Sequence, residues 1–117
     1  MSVIARRVVF GAVNKYRNKP TVVEGIKFPS MKEAGRYAEL RILEKAGRIR
    51  NLDRQVVFVL EIQGQKICSY RADFVYEEYA HEAWTRVVED SKGMTPPVYR
   101  LKKKLMKAIL GIDIRES

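Results

Sequence analysis

The sequence predicts a mixed α/β (α+β) domain in which a helix, three strands, a second helix and a final strand follow one another. An apolar repeat of helical spacing begins just after residue 30, and apolar runs broken by short turn sequences fill most of residues 55–92. A second helical repeat, opened by two prolines, begins near residue 96. The 117 residues, 46% of them hydrophobic, suffice for one core, which we place in a single domain at residues 20–117 behind a basic arm of residues 1–19.

The first helix is predicted over residues 31–46. Ser30 is a residue type that caps helix N-termini, and Glu33 follows it at the spacing of a capping box. Gly47 supplies the expected end. Before this helix, the run TVVEGIKF (21–28) predicts a hairpin that turns at its central E-G pair.

Three strands are predicted next, at residues 55–62, 66–79 and 84–92. Gln63-Gly64 is a typical two-residue turn between the first two strands, and the polar run A-H-E-A at residues 80–83 forms the tip between the second and the third. These three runs therefore predict consecutive antiparallel strands.

The second helix is predicted to begin at Thr95-Pro96, with the threonine as N-cap and the proline as first helical residue. Gly111 marks its end, and residues 112–115 predict a short closing strand. The predicted apolar stripe of this helix comprises Val98, Leu101, Leu105, Ala108 and Ile109.

Composition narrows the chemistry that the chain can perform. One cysteine (Cys68) and one histidine (His81) permit neither a disulfide within the chain nor a Cys/His zinc site. A metal would be held by carboxylates, which favours magnesium, manganese or calcium. The sequence shows no apolar run of membrane-spanning length and no secretory leader, so we expect a soluble, cytoplasmic protein with no membrane partner.

The net charge of +9 is concentrated in two segments. Residues 1–20 and residues 96–110 each carry five basic residues and no acid, whereas the other 82 residues hold 13 basic and 14 acidic ones. Such concentration indicates a polyanionic partner, most plausibly nucleic acid, and the alternative is a solvated charged face with a basic tail. The basic residues of the arm are Arg6, Arg7, Lys15, Arg17 and Lys19.

Two aspartates are predicted to meet across the second and third strands. If the hairpin is centred between His81 and Glu82, the numbers of paired residues sum to 163, which places Asp73 opposite Asp90. Carboxylates about 5 Å apart repel one another, so the pair should share a proton or hold a cation. Strand alternation puts Lys92 on the same face as Asp90 and Glu89 on the other, but a slip of one residue would exchange the two acids.

Glu33 is a further candidate. It shares a helical stripe with Tyr37 and Leu40, so it belongs to the face that turns towards the sheet. Its alternative role is local, as the capping-box partner of Ser30. The sequence leaves both roles open.

An acid on the first helix, an acid within a strand and a D-x-K tripeptide on the next strand resemble the PD-(D/E)XK nuclease superfamily. The predicted order of elements is similar to the restriction-endonuclease-like core of that superfamily, with its mixed sheet, over residues 30–116. The segments KYRNKPTVVEGIKFPSMKEAGRYAEL, YRADFVYE, VVEDSKG and YRLKKKLM resemble small phage-encoded proteins of this type, including those similar to Holliday-junction resolvases and endonuclease I. Ala72 stands where the superfamily's motif has proline.

The resemblance implies a role for each residue that matches the motif. Asp73 and Asp90 would bind Mg²⁺ or Mn²⁺ together with the backbone carbonyl of Ser91, and Glu33 would be the helix acid near the metal. Lys92 would orient or deprotonate the attacking water, or stabilise the transition state. Expected contacts to the DNA backbone on the second helix are Tyr99, Arg100, Lys102, Lys103 and Lys107.

The implied activity is that of a magnesium-dependent endodeoxyribonuclease, nicking or selective for branched DNA such as Holliday junctions. We expect a homodimer, because two symmetric cuts need two sites, acting in phage DNA metabolism or recombination in a bacterial host. One alternative is the cutting subunit of a transposition or packaging assembly. Another, from a different class, is a non-catalytic nucleic-acid-binding protein on a nuclease scaffold.

Overall fold

The computed structural model describes residues 21–92 and 95–117. The chain divides into two compact units, the first ending at Arg41 and the second comprising Ile42–Ser117. In chain order the elements are β1 (Thr21–Val23), β2 (Ile26–Phe28), α1 (Met31–Lys45), β3 (Ile49–Ile62), β4 (Gln65–Ala80), β5 (Ala83–Asp90), α2 (Pro97–Leu105), a π-helical continuation of α2 (Met106–Leu110) and β6 (Ile114–Glu116).

The main sheet has the strand order β3-β4-β5-β6, and β1 and β2 form a separate two-stranded sheet. Strands β3, β4 and β5 pair antiparallel, whereas β6 lies parallel to β5. A parallel neighbour requires a crossover, and α2 with its continuation supplies it. The structure therefore confirms a mixed α+β fold with a mixed sheet and the predicted order of helix, three strands, helix and strand.

The three hairpins turn at the positions that the sequence indicated. Glu24-Gly25, Gln63-Gly64 and His81-Glu82 all have positive φ angles, between 51° and 80°. Two successive positive φ angles are typical of the type I′ turn, whose twist matches that of the flanking strands. Only the tip at His81-Glu82 adopts this conformation without glycine. Because two-residue turns fix the pairing of their strands, the turns also set the register.

The core of the second unit lies between the sheet and α2. Its buried members are Leu60, Tyr70, Ala72, Val88, Tyr99, Met106 and Ile114. The predicted stripe of α2 is wrong at its N-terminal end, because Val98 is 64% and Leu101 58% exposed. The helix instead turns Tyr99 and Met106 inward, seven residues apart and thus on one face. The predicted cap is also wrong: Pro96 occupies the N-cap position, with no side-chain hydrogen bond.

Several strand boundaries also differ from the prediction, including that of β6, which begins at Ile114 rather than at residue 112. Strand β3 begins at Ile49 rather than at residue 55, because the polar run that precedes the apolar segment pairs with the far end of β4. Asn51, with φ 57°, lies in the irregular part of this pairing. Strand β5 ends at Asp90, so Ser91 and Lys92 follow the strand instead of extending it.

Candidate functional site

The ladder between β4 and β5 keeps the predicted register without a shift, from Ala80↔Ala83 to Phe74↔Glu89. Extended by one residue, this register pairs Asp73 with Asp90. The carboxylate of Asp73 is bound to the end of β5, since its Oδ2 accepts the backbone N–H of Ser91 at 2.9 Å. The hairpin therefore brings together the two acids and the residues that follow Asp90.

Asp90 is the buried centre of this site, with 1% of its surface exposed. Its Oδ2 accepts a hydrogen bond from the hydroxyl of Tyr70. Among the residues that the structure describes, Oδ1 has no hydrogen-bond donor. The ammonium group of Lys92, whose side chain is one-third exposed, lies 3.5 Å from this oxygen. A buried carboxylate oxygen without a donor is costly in a protein interior, so it indicates a place for a further ligand.

Glu89 is also completely buried, but it has other partners. The hydroxyl of Tyr76 donates to Glu89 Oε1 at 2.5 Å. Arg115 lies 3.4 Å from the same hydroxyl, and both of its terminal nitrogens bind Glu78. Strand alternation separates the two neighbouring acids. The structure thus places Asp90, and not Glu89, on the side of Asp73. The sequence predicted that Asp90 and Glu89 lie on opposite faces of the sheet, but it did not predict the full burial of Glu89.

Gln55 contacts Asp73 from the neighbouring strand, and no pattern in the sequence pointed to this residue. The pairs on either side place Gln55 opposite Asp73, and its Nε2 lies 3.4 Å from Asp73 Oδ1. Gln55 has φ 55°, an unusual value for a non-glycine residue within a strand. Tyr70, Ala72 and Val75 all pack into the core beneath α2, although strict alternation would put Val75 on the other face. The strand geometry therefore changes around Asp73.

The two tyrosines nearest the acids remain neutral hydrogen-bond donors. Burial raises the pKa of the Tyr70 hydroxyl, and its hydrogen bond to Asp90 and the charges of Asp90 and Asp73 raise it further. Burial also raises the pKa of Tyr99, and its hydrogen bond to Glu116 is the second-largest cause of the increase. Both phenols therefore keep their protons at neutral pH.

Tyr99 contacts residues beside the acids and one residue, Glu116, that lines a basic groove. Its ring centroid is 5.0 Å from Lys92 Nζ and 6.3 Å from the ring of Tyr70, and its hydroxyl donates to Glu116 Oε2 at 2.8 Å. With 6% of its surface exposed, Tyr99 is a core residue. Its assignment as a contact to the DNA backbone is corrected, because the inward rotation of α2 removes its ring from the exposed face of the helix.

The groove that Glu116 lines has a volume of about 430 Å³. Two of its cations are paired with acids: Lys103 with Glu116 at 2.8 Å, and Lys107 with Asp113 at 2.9 Å. The hydrogen bond from Lys103, and then that from Tyr99, lowers the pKa of Glu116. The residues that line the groove are Thr95, Arg100, Lys103, Lys104, Lys107, Asp113, Ile114 and Glu116. Lys104, one of the five basic residues of segment 96–110, lines the groove although it was not among the expected DNA contacts, and Lys102 does not line it.

Glu33 belongs to the first unit, where it is 7% exposed. It lies on the buried face of α1 with Tyr37 and Leu40, as predicted. The hydroxyl of Ser30 accepts the backbone N–H of Glu33 at 3.2 Å, so Ser30 is the N-cap that the sequence indicated. The predicted basic arm at residues 1–19 lies outside the described residues.

Within residues 21–92 and 95–117, no group of three or more His, Cys, Asp or Glu side chains is placed to hold a metal ion. The possible ligands are the two carboxylates of Asp73 and Asp90 and the carbonyl of Ser91. An all-oxygen set with one donor-free buried oxygen fits a hard cation such as Mg²⁺ or Mn²⁺. No helix in the described part of the chain is long and apolar enough to cross a membrane.

Comparison with protein families identifies the class of this chain. A family described as "Protein of unknown function (DUF1064)" matches residues 13–112. The chain therefore belongs to this family. No curated protein and no solved structure matches it.

Proposed function

We propose that the protein is a Mg²⁺- or Mn²⁺-dependent endodeoxyribonuclease whose active site contains Asp73, Asp90 and Lys92. The observation that carries the proposal is the environment of Asp90. This carboxylate is 1% exposed, lies across the hairpin from Asp73, and has one oxygen without a donor among the described residues, 3.5 Å from Lys92 Nζ. A fully buried carboxylate beside a second, half-buried acid is unfavourable for folding alone, so a ligand that uses this arrangement accounts for it best.

The order of the elements supports the same proposal. A helix precedes three antiparallel strands, and a second helix leads to a strand parallel to the third. The order is compatible with the restriction-endonuclease-like core that the sequence resembles, with the acids on the second and third strands of the main sheet. The PD-(D/E)XK superfamily is therefore the class to which we assign the site.

The proposed chemistry is hydrolysis of a phosphodiester bond. A bound Mg²⁺ would supply charge neutralisation at the scissile phosphate and activation of water. Asp73, Asp90 and the carbonyl of Ser91 would hold it. Lys92, one-third exposed, is placed to orient the attacking water or to stabilise negative charge on the phosphate.

The groove beside α2 is the proposed path of the DNA backbone. Its four cations are Arg100, Lys103, Lys104 and Lys107. The ring of Tyr99 faces Lys92 and its hydroxyl contacts Glu116, so the groove and the acid pair flank the same side chain. A backbone bound in the groove would thus lie beside the acids. We propose branched DNA, such as a four-way junction, as substrate and a homodimer as the active form, within the cytoplasm of a phage-infected cell.

The decisive experiment compares three variants on linear, single-stranded, flap and four-way-junction DNA with Mg²⁺. Asp73→Asn and Asp90→Asn are expected to abolish cleavage and retain DNA binding, because each removes a metal ligand but no phosphate contact. Glu89→Gln is the matched control, since it changes an equally buried acid on the other face of the sheet. Glu89→Gln is expected to remain active, provided that it folds.

Each alternative predicts a different result. Cleavage at the wild-type rate by either aspartate variant would remove that aspartate from the active site. DNA binding without cleavage by the wild-type protein, with Mg²⁺ or Mn²⁺, would indicate the non-catalytic binding protein. Cleavage that appears only in the presence of partner proteins would indicate a subunit of a transposition or packaging assembly.

A further inference from the structure

We propose that Tyr70 is a positioning residue that holds the carboxylate of Asp90 in the orientation required for metal binding. This inference rests on the proposed function, and it assigns a role to a side chain outside the acid-lysine motif. Tyr70 is 4% exposed and belongs to the core beneath α2, so its ring is fixed by packing. Its hydroxyl is the donor to Oδ2 of Asp90.

A carboxylate on a short side chain can rotate about its last bond, because that torsion is broad and approximately two-fold. A donor fixed by packing at one oxygen removes this freedom. With Oδ2 bound to Tyr70, Oδ1 is directed to the side where Lys92 lies, 3.5 Å away. It is also the buried oxygen that lacks a donor among the described residues. The hydroxyl of Tyr70 thus determines which oxygen of Asp90 remains for a cation.

The chemical nature of the donor matters as much as its position. A neutral phenol stabilises a carboxylate by a hydrogen bond without adding positive charge. An arginine or lysine at this position would add a positive charge beside a divalent cation and so oppose its binding. Partners that orient metal ligands by hydrogen bonds commonly contribute about 10–100-fold to metal affinity. Tyr70 has the geometry and the neutrality that this role requires.

Tyr76 provides a contrast within the same strand. It is 1% exposed, and its hydroxyl donates to Glu89, the buried acid on the other face of the sheet. The two tyrosines therefore make the same kind of contact to two neighbouring acids. Only the contact of Tyr70 concerns the acid opposite Asp73, so removal of the Tyr76 hydroxyl is a matched control for the general cost of losing a buried hydrogen bond.

The test measures Mn²⁺ binding to the complete protein in the absence of DNA, by electron paramagnetic resonance of the free ion. Tyr70→Phe keeps the ring and removes the donor, and it is expected to weaken Mn²⁺ binding about 10–100-fold. Tyr76→Phe is expected to lose stability but to bind Mn²⁺ like the wild-type protein. The melting temperature of each variant shows whether that protein is folded under the conditions of the Mn²⁺ measurement.

If Tyr70→Phe does not fold under ordinary conditions, all three proteins are compared in trimethylamine N-oxide, which favours the folded state. Equal Mn²⁺ affinity of Tyr70→Phe and the wild-type protein would overturn the role of Tyr70. Equal weakening in both variants would overturn it as well, since the effect would then be one of general destabilisation. Absence of Mn²⁺ binding by the wild-type protein would contradict the proposed metal site itself.

Discussion

Glu89 and Asp90 are adjacent in the sequence, but their side chains lie on opposite faces of the sheet because successive strand residues alternate. Both are almost completely buried, and each carboxylate accepts a hydrogen bond from a different tyrosine. Burial of a carboxylate without such donors costs several kcal/mol, on the order estimated for unpaired charged groups. The tyrosine hydroxyls therefore stabilise both acids in place. Asp90 differs in retaining one oxygen that lacks a donor in the described part of the chain.

Glu33 allows a residue-scale test of two roles that the sequence left open. If Glu33 acts in the reaction, as the resemblance in sequence implies, Glu33→Gln should reduce cleavage at least about tenfold, the size of effect typical of groups that support metal ligands, with little change in stability. The backbone N–H of Glu33 would still donate to the Ser30 hydroxyl, 3.2 Å away. The measurements are the melting temperature and the cleavage rate of the same preparation.

Ser30→Ala is the control for the capping role alone. It removes the hydroxyl that accepts this N–H and is expected to cost about 1 kcal/mol of unfolding free energy while cleavage by the folded protein continues. A Glu33→Gln variant that behaves like Ser30→Ala, less stable but fully active, would restrict Glu33 to the helix terminus.

At the scale of elements, α2 has two chemically distinct faces. Tyr99 and Met106 pack against the sheet, whereas the cations face the groove or solvent. Two of these cations, Lys103 and Lys107, pair with Glu116 and Asp113 in exposed ion pairs. Exposed pairs are worth only about 0–1 kcal/mol, so a phosphate can replace the carboxylates at little cost. The acids of the groove are therefore compatible with DNA binding.

The basic residues of α2 and its continuation predict a particular salt dependence. The triple variant Lys102→Ala, Lys103→Ala, Lys107→Ala should weaken binding to all DNA sequences similarly and flatten the slope of log K against log salt by up to about 2–3, since each phosphate contact on duplex DNA contributes about −0.9. Folding should persist because the buried face of α2 is unchanged. Affinity is measured across a salt titration in an Asp90→Asn background, so that cleavage does not interfere.

A second triple variant controls for net charge. Lys27, Lys45 and Lys66 are exposed and do not line the groove, and their replacement by alanine removes the same three charges. This variant should retain most of the wild-type slope. Equal flattening in both variants would show that binding depends on overall charge rather than on α2.

At the scale of the whole molecule, the excess positive charge lies in residues 1–20 and 96–110. The rest of the chain, with 13 basic and 14 acidic residues, is almost neutral. A concentrated charge of one sign accelerates encounter with a polyanion and directs it to one region of the surface. We therefore expect the arm and α2 to contribute separately to DNA affinity.

Deletion of residues 1–19 tests the contribution of the arm. The deletion removes five basic residues and no acid, and it should flatten the salt slope in addition to the effect of the lysine variant on α2. Additive changes in the combined variant are the expected result, measured by the same titration. An unchanged slope after deletion would mean that the arm adds solubility but no phosphate contacts.

Several features were accessible from sequence because they depend on neighbouring residues. The turns at Glu24-Gly25 and Gln63-Gly64 follow from backbone conformations that these residue types favour. The register of β4 and β5 followed from the position of one hairpin tip, and it placed Asp73 opposite Asp90. The face of α1 that carries Glu33 followed from helical periodicity. Each of these is decided by local geometry.

Other features depend on packing between distant segments, and the sequence by itself did not determine them. Tyr99 is buried rather than exposed because α2 rotates it towards Tyr70 and Glu116, which lie 29 and 17 residues away in the chain. Gln55 adopts a positive φ opposite Asp73, a conformation that no local preference of glutamine predicts. The sequence determined the order of elements, the turns and the pairing of the two aspartates, since these need only local conformation and strand arithmetic. Tertiary structure alone decided that the Tyr70 hydroxyl binds one oxygen of Asp90 and leaves the other without a donor among the described residues. This contact exists only when the strands and α2 enclose both side chains.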